Sequence, residues 1–331
     1  MRQRIMETQY CFLTINSSCI KRERSTYEYN FMYMFVSLLS AWTVFLNLLV
    51  IISISHFKKL HSPTNLLILS LAVADLLVGL IVMPLEAIKL IETCWYFGDN
   101  FCGLYSIFIG LLVSTSLSNL VLIAVDRYMA VCQPLLYPQK ITTTKTLACI
   151  CLCWFCSSAY NAALVTSSRH FDSHRTDVCY GECTFVISFA WRVTDLFFSL
   201  LFPCTLIITL YLRIFYVAQM QVKIINSLVK GGKHVTEGSV RRKSESKAAM
   251  TLGLIVTVYL ICWIPYFILS LSENAEMAST TTILLWILYA NSGLNPLIYG
   301  LFYPWFKLSV KRILTFKIFQ QGSSLVDCFN D

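Results

Sequence analysis

The stretch FCGLYSIFIGLLVSTSLSNLVLIAV, residues 101–125, runs without a charge straight into Asp126-Arg127-Tyr128. As a helix rising about 1.5 Å per residue it is long enough to cross the ~30 Å hydrocarbon layer of a bilayer. An ionic pair at the end of such a run marks the edge of a membrane, or a switch placed at that edge. Six more apolar runs accompany it, at 31–54, 65–88, 146–165, 186–214, 248–271 and 281–302. The pattern predicts an all-α membrane protein, a bundle of seven transmembrane helices. The triplet then falls at the cytoplasmic end of the third helix.

Composition agrees. Of 331 residues, 56% are hydrophobic and only 13% are charged, whereas a soluble domain carries about 25% charged residues. The runs leave no room for a separate folded domain. The expected organisation is an outer tail over 1–30, a membrane domain over 31–303, and an amphipathic helix with a cytoplasmic tail over 304–331. The first 30 residues are polar, so the first helix is expected to direct its own insertion. The net charge of +8 is uneven. Lys58, Lys59, Lys140, Lys145, Arg241, Arg242, Lys243, Lys307, Lys311 and Arg312 lie in the odd-to-even connections and the C-terminal segment. Basic residues are retained on the cytoplasmic side, which predicts an outer N-terminus and an inner C-terminus. Lys21, Arg22 and Arg24 in the first tail oppose that bias without reversing it. Because the basic residues hug membrane edges, the charge excludes a nucleic-acid partner. Residues 302–319 alternate Tyr303, Trp305, Phe306, Leu308, Val310 and Ile313 with Lys307, Lys311, Arg312 and Lys317, as a helix lying on inner-leaflet lipid does. Paired broken helices, the mark of many transporters, are not visible. Nor is a metal cluster or nucleophile–base pair, so an enzyme is not expected; His56, His61, His170, His174 and His234 are expected in the connections between the apolar runs.

Charges inside apolar runs are costly and point to function. Asp75 lies mid-membrane, with Asn47, Ser116, Asn291 and Asn295 at similar depth. A carboxylate among hydroxyls and amides, without a matching cation, suggests a sodium site at Asp75, Ser116, Asn291 and Asn295; a hydrogen-bonded packing centre is the alternative. Asp195 lies about nine residues into the fifth run, about 13 Å from its outer end. That depth suits a ligand pocket, although Arg192 shares its helix face and offers a neutralising partner. Glu86 and Lys89, one turn apart in the second run, read as an intrahelical pair. Pro84, Pro203, Pro265 and Pro296 interrupt helices and open space between them. Trp263, Tyr266, Phe267, Trp286 and Tyr289 could line such a space with π faces that attract cations. At the inner face, Arg127 has two candidate partners, Asp126 and Glu245, and an Arg127–Glu245 contact would be a breakable lock. Of the fourteen cysteines, Cys11, Cys19, Cys94, Cys102, Cys179 and Cys183 fall outside, where disulfides persist, and many pairings are open to them. Asn16-Ser17-Ser18 is a glycosylation acceptor.

Taken together, the chain resembles the rhodopsin-like G-protein-coupled receptors over nearly its whole length. The resemblance rests on Asn47, Leu71-Ala72-Val73-Ala74-Asp75, Trp95, Cys102, Asp126-Arg127-Tyr128, Trp154, Pro203 with Tyr211, Cys262-Trp263-Ile264-Pro265, and Asn295-Pro296-Leu297-Ile298-Tyr299 followed by Phe306. More narrowly it is similar to the trace amine-associated receptors, through residues 52–61, Cys94-Trp95-Tyr96-Phe97-Gly98, Asn291-Ser292-Gly293-Leu294, Phe302-Tyr303-Pro304-Trp305 and Cys179-Tyr180-Gly181-Glu182-Cys183. That resemblance implies disulfides Cys102–Cys183 and Cys19–Cys179 and leaves Cys11 and Cys94 without assigned partners. It implies a plasma-membrane receptor, olfactory in setting, coupled to a stimulatory G protein through Arg127, Tyr211 and Tyr299. Where the family carries an amine-binding Asp in the third helix, this chain has Ile109, flanked by Phe108 and Gly110. Asp195 matches the fifth-helix Asp of the expanded fish members, so the expected ligand is an amine with its ammonium toward Asp195. A non-amine ligand, with Asp195 tied to Arg192, is the competing expectation. Acylation of Cys328, far beyond Phe306, is not expected.

Overall fold

A computed structural model describes residues 9–172, 179–184, 188–230, 253–254, 256–266, 268–269 and 278–325. The first helix, α1, spans Thr26–His56 and is started by a capping box, in which Ser25 and Glu28 satisfy each other's backbone N–H groups. Helix α2 runs over Pro63–Glu92, with Ser62 as N-cap and Pro63 at the first helical position, where its missing N–H costs nothing. It contains a π turn, Val78–Val82, just ahead of Pro84. Helix α3 spans Gly98–Cys132 and α4 spans Thr143–Asp172, with a one-turn helix Tyr137–Lys140 between them. Helix α5 begins at Phe189–Leu196, passes through a second π turn, Phe197–Leu201, and continues over Phe202–Lys230. The described part of α6 is Val256–Tyr266; α7 is Ala278–Phe302, with Pro296 inside it, and α8 is Pro304–Leu314.

Helices outrun the apolar runs that announce them. The fifth apolar run ends at 214, yet the chain stays helical as far as Lys230. Hydrophobicity stops at the membrane edge, but Met220, Gln221, Lys223 and Ile224 keep good helix propensity beyond it. At the other end, α5 begins at Phe189, which puts Asp195 only about 9 Å deep rather than about 13 Å.

Burial ranks the helices. In the apolar window of α2, 61% of residues are buried, and in α3 44%, against 17% in both α4 and α5. Of these four helices α2 and α3 are therefore the most enclosed, and α4 and α5 turn most of their surface outward. Leu152, Phe155, Phe198, Phe202 and Leu212 are exposed apolar residues of that outer surface, the natural arrangement where the solvent is lipid. The largest core cluster runs through the bundle and includes Ile54, Met83, Leu112, Ile123 and Tyr299, with smaller clusters beside it.

The N-terminal tail is held down by covalent bonds. Residues 9–20 form a small hairpin, with Tyr10 bridging Ile20, and Ser18 bridges Tyr180 of the outer loop. Disulfides join Cys102 to Cys183 and Cys19 to Cys179, as the resemblance implies. The two cysteines without assigned partners are joined as well, Cys11 to Cys94. Lys21 adds an ion pair of 2.5 Å to Glu92, which also accepts from the Tyr33 hydroxyl at 2.8 Å. The hydrogen bond to Glu92 raises the Lys21 ammonium above its usual range. Asn16 lies exposed in the turn of this hairpin.

Helix α4 presses closest to α3 at Gly110. A Cβ there would lie 2.0 Å from Asn161 Oδ1, and Asn161 is fixed by donating to Ser157 O at 2.8 Å and Ser114 Oγ at 3.1 Å. Gly110→Ala should therefore cost about 1–3 kcal/mol through overpacking and lower the Tm of the detergent-solubilised protein. Adding Asn161→Ala to it should restore most of the loss; strict additivity of the two changes would contradict this contact.

Candidate functional site

Three charged centres occupy three depths. The outermost is Asp195 on α5. Its Oδ1 accepts from the Tyr160 hydroxyl of α4 at 3.0 Å and from Ser199 Oγ, one turn inward, at 2.7 Å. Tyr160 is itself braced edge-on by Trp191, with ring centroids 6.1 Å apart. Among the described residues Asp195 makes no ion pair, with Arg192 or any other cation. The π turn at Phe197–Leu201 directly follows Asp195 and contains Ser199. Such a turn inserts a residue and rotates everything outward of it, which is how irregular helix serves functional sites. Ile109 of α3 is partly buried between the central core and the Trp95–Cys102–Tyr105–Cys183 cluster, and its side chain supplies no charge.

The expected aromatics belong to the central core cluster, against which Ile109 also packs. Trp263 stacks on Tyr259 at 5.2 Å, and Tyr289 meets Trp286 edge-on at 5.8 Å. Tyr289 and Trp263 are buried and Tyr266 is partly so. Trp286 packs against Val36, Ala87 and Ile91, toward α1 and α2. The Phe267 side chain lies outside the described residues. Glu86 pairs with Lys89 at 3.4 Å, as expected, and also accepts from the Tyr105 hydroxyl at 3.0 Å.

The middle centre is Asp75, buried on α2, whose Oδ2 accepts from Asn295 Nδ2 at 2.8 Å. Ser116, Asn291, Ser292, Trp263 and Tyr289 join it around a small cavity. Its open volume for water-sized spheres is about 20 Å³, room for a single water or a monovalent ion. Asn47, grouped with Asp75 by depth, turns elsewhere: its amide donates to Thr43 O and Ser292 O.

The inner centre is the triplet. Asp126 and Arg127 are both buried, and Asp126 Oδ2 accepts from Arg127 Nη2 at 2.5 Å and Nε at 3.0 Å. Thr64 of α2 donates to Oδ2 at 2.7 Å and is itself reached by Arg127 Nη2. Tyr137 of the one-turn helix donates to Oδ1 at 2.9 Å. Burial, and then the Asp126 charge, push the Tyr137 phenol up to about 12, so it stays a donor throughout the physiological range. Tyr128 and Tyr211 pack against Val131 and Ile214. Tyr211 and Tyr299 bury hydroxyls that have no partner among the described residues. Glu245, the other expected partner of Arg127, lies outside the described residues, as does Cys328.

The sequence marks Asn295 for Asp75, Asp126 for Arg127 and Lys89 for Glu86, but not the hydroxyls that hold Asp195 and Asp126. Tyr160 and Tyr137 have no local signal. Ser199 has one, its i,i+4 spacing from Asp195.

The chain matches the family model for the 7 transmembrane receptor (rhodopsin family) over residues 46–299. It belongs to that family of membrane receptors, which are not enzymes. Within it, the chain is 39% identical to trace amine-associated receptor 13c of Danio rerio, over 97% of this chain and 96% of that protein. It is 39% identical to trace amine-associated receptor 7a of Rattus norvegicus, over 97% and 92%, and 37% identical to trace amine-associated receptor 4 of Mus musculus, over 96% and 94%. The chain is thus a G-protein-coupled receptor of the trace amine-associated type.

The Thr64 and Tyr137 hydroxyls tie down the Asp126 carboxylate, and Asp126 in turn holds Arg127. Thr64→Ala or Tyr137→Phe removes about 1 kcal/mol of that hold, and ligand-independent nucleotide exchange on the coupled G protein should rise about fivefold. Unchanged basal exchange in both variants at equal expression would mean that the network does not restrain Arg127.

Proposed function

We propose that this receptor senses an amine, binds the ammonium on the Asp195 carboxylate, and signals from the plasma membrane through a stimulatory heterotrimeric G protein. The observation that carries the reading is the carboxylate itself. It lies within a membrane-spanning helix, held by neutral hydroxyls alone among the described residues. A buried ammonium without a counter-charge is prohibitively costly, and Ile109 offers none. The names of the relatives, all trace amine-associated receptors, point to the same ligand class. Trp263, Tyr266, Phe267 and Tyr289 would supply π faces for the rest of the ligand. Binding repacks α6 around Trp263 and Pro265. Arg127 then leaves Asp126, and Glu245 where it is engaged, and meets the G protein beside Tyr211 and Tyr299. The tail hairpin, with its disulfides and Asn16, faces outside, where disulfides persist and glycans are added, and α8 lies on the inner leaflet.

The Asp75 cavity fits a sodium ion. Asp75, Ser116, Asn291 and Asn295 present hard oxygen donors, and Asn291 Oδ1 is buried with no partner among the described residues. A bound cation there would hold α2, α3 and α7 together in the resting arrangement. The competing reading, Asp195 consumed by Arg192 in a receptor for a non-amine ligand, has less support, because Asp195 turns to Tyr160 and Ser199 instead.

Asp195→Asn should cut amine potency at least ~100-fold, the scale of a lost buried charge pair, with surface expression unchanged. A cell reporter for cyclic AMP, challenged with butylamine, 3-methylbutylamine and 2-phenylethylamine, measures it. Full retention of potency, or silence of the wild type to every amine, sinks the amine reading. Asp75→Asn should abolish any dependence of agonist affinity on sodium between low and physiological concentration; a sodium effect that survives the change would place the ion elsewhere.

A further inference from the structure

The two oxygens of Asp195 are not equivalent. Oδ1 takes both hydrogen bonds, from Tyr160 at 3.0 Å and from Ser199 at 2.7 Å. A carboxylate oxygen has about two lone-pair sites, so Oδ1 is filled. Oδ2 accepts nothing among the described residues and is not among the buried polar atoms lacking a partner, so it keeps some exposed surface. Both donors are mechanically fixed. Tyr160 leans on Trp191 at 6.1 Å, and Ser199 sits in the π turn Phe197–Leu201.

From this we infer that Tyr160 and Ser199 are specificity-determining positioning residues, which present Asp195 as a one-oxygen acceptor and so select alkylammonium ligands against guanidinium and amidinium ligands. The inference rests on Asp195 being the ammonium site. An ammonium is a compact charge with donors that rotate, and one oxygen with two free lone pairs satisfies it. A guanidinium is a planar fork that matches a carboxylate through two parallel N–H···O bonds. With Oδ1 occupied the fork engages at one prong, and its second N–H must be desolvated without a partner. Losing one charge-assisted hydrogen bond corresponds to at least about tenfold in affinity. The same geometry explains why the site has a tyrosine and a serine on one oxygen rather than one on each: the arrangement leaves a single direction of approach.

The test compares matched pairs, 3-methylbutylamine with (3-methylbutyl)guanidine and butylamine with butylguanidine, on full-length receptor whose surface expression is measured in parallel. In the wild type the amine of each pair should be the more potent by at least about tenfold. In Tyr160→Phe, and separately in Ser199→Ala, the amine should lose potency severalfold while the guanidine gains, so that the ratio closes toward unity. A merely structural role lowers both members of a pair by the same factor; that outcome, a wild type that prefers guanidines, or an unchanged ratio in both variants overturns the inference. Asp195→Asn separates the two levels. If it leaves amine potency intact, the ammonium site is misplaced and this inference falls with it. If it abolishes the response while the ratio stays fixed in the Tyr160 and Ser199 variants, only the selectivity inference falls.

Discussion

An ion placed in hydrocarbon must be met by something, and this requirement organises the molecule. Translocating a bare charge to the middle of a bilayer costs several kcal/mol or more. Each carboxylate within the bundle is accordingly met by side chains from other helices or from one turn away. Asp75 is met from α7, Glu86 from α3 and from its own helix, Asp126 from α2 and the following loop, and Asp195 from α4. The partners differ in kind, and the difference is functional. Where the partner is a full opposite charge, as Arg127 is for Asp126, the pair is complete and can only be traded for another. Where the partners among the described residues are amides or hydroxyls, as for Asp75 and Asp195, the carboxylate is hydrogen-bonded but meets no opposite charge.

The framework and the charges were legible in the chain itself, because bilayer thickness and desolvation act on residue types directly. A run that is apolar for long enough must cross, and an acid within it must have a reason. Asn295 could be matched to Asp75 by depth, but the tyrosine companions of Asp195 and Asp126 could not be read from the chain. Tyr160 is one aromatic in a helix full of lipid-facing apolar residues, and nothing in its neighbourhood marks its hydroxyl as the one that meets Asp195. The Cys11–Cys94 bond was hidden for a related reason: six outer cysteines admit many connectivities, and only the register of the tail hairpin against the outer loop selects one. Helix ends were misjudged wherever good helix formers continue past the membrane, as in α5.

Proline and the π turn work as a pair in this bundle. In both α2 and α5 the π turn comes just before the proline, at Val78–Val82 ahead of Pro84 and at Phe197–Leu201 ahead of Pro203. A proline removes a donor and frees a carbonyl in the preceding turn; a wider turn absorbs the misfit without breaking the helix. Each inserted residue also re-aims the segment outward of it. In α2 that segment carries Glu86, and in α5 it carries Asp195. The two outer acids thus owe their direction to backbone irregularity as much as to their place in sequence.

The three disulfides also divide the bundle. Cys11–Cys94 closes a covalent ring through α1 and α2, Cys19–Cys179 closes one through α1 to α4, and Cys102–Cys183 closes one through α3 and α4. Every ring ends before Ser188. The first four helices are therefore cross-linked into a single outer frame, while α5, α6 and α7 lie outside every loop of that network. Displacement at the outer surface is left to the uncrosslinked half, and Asp195 stands on the first helix of that half, bonded through Tyr160 to the last helix of the frame.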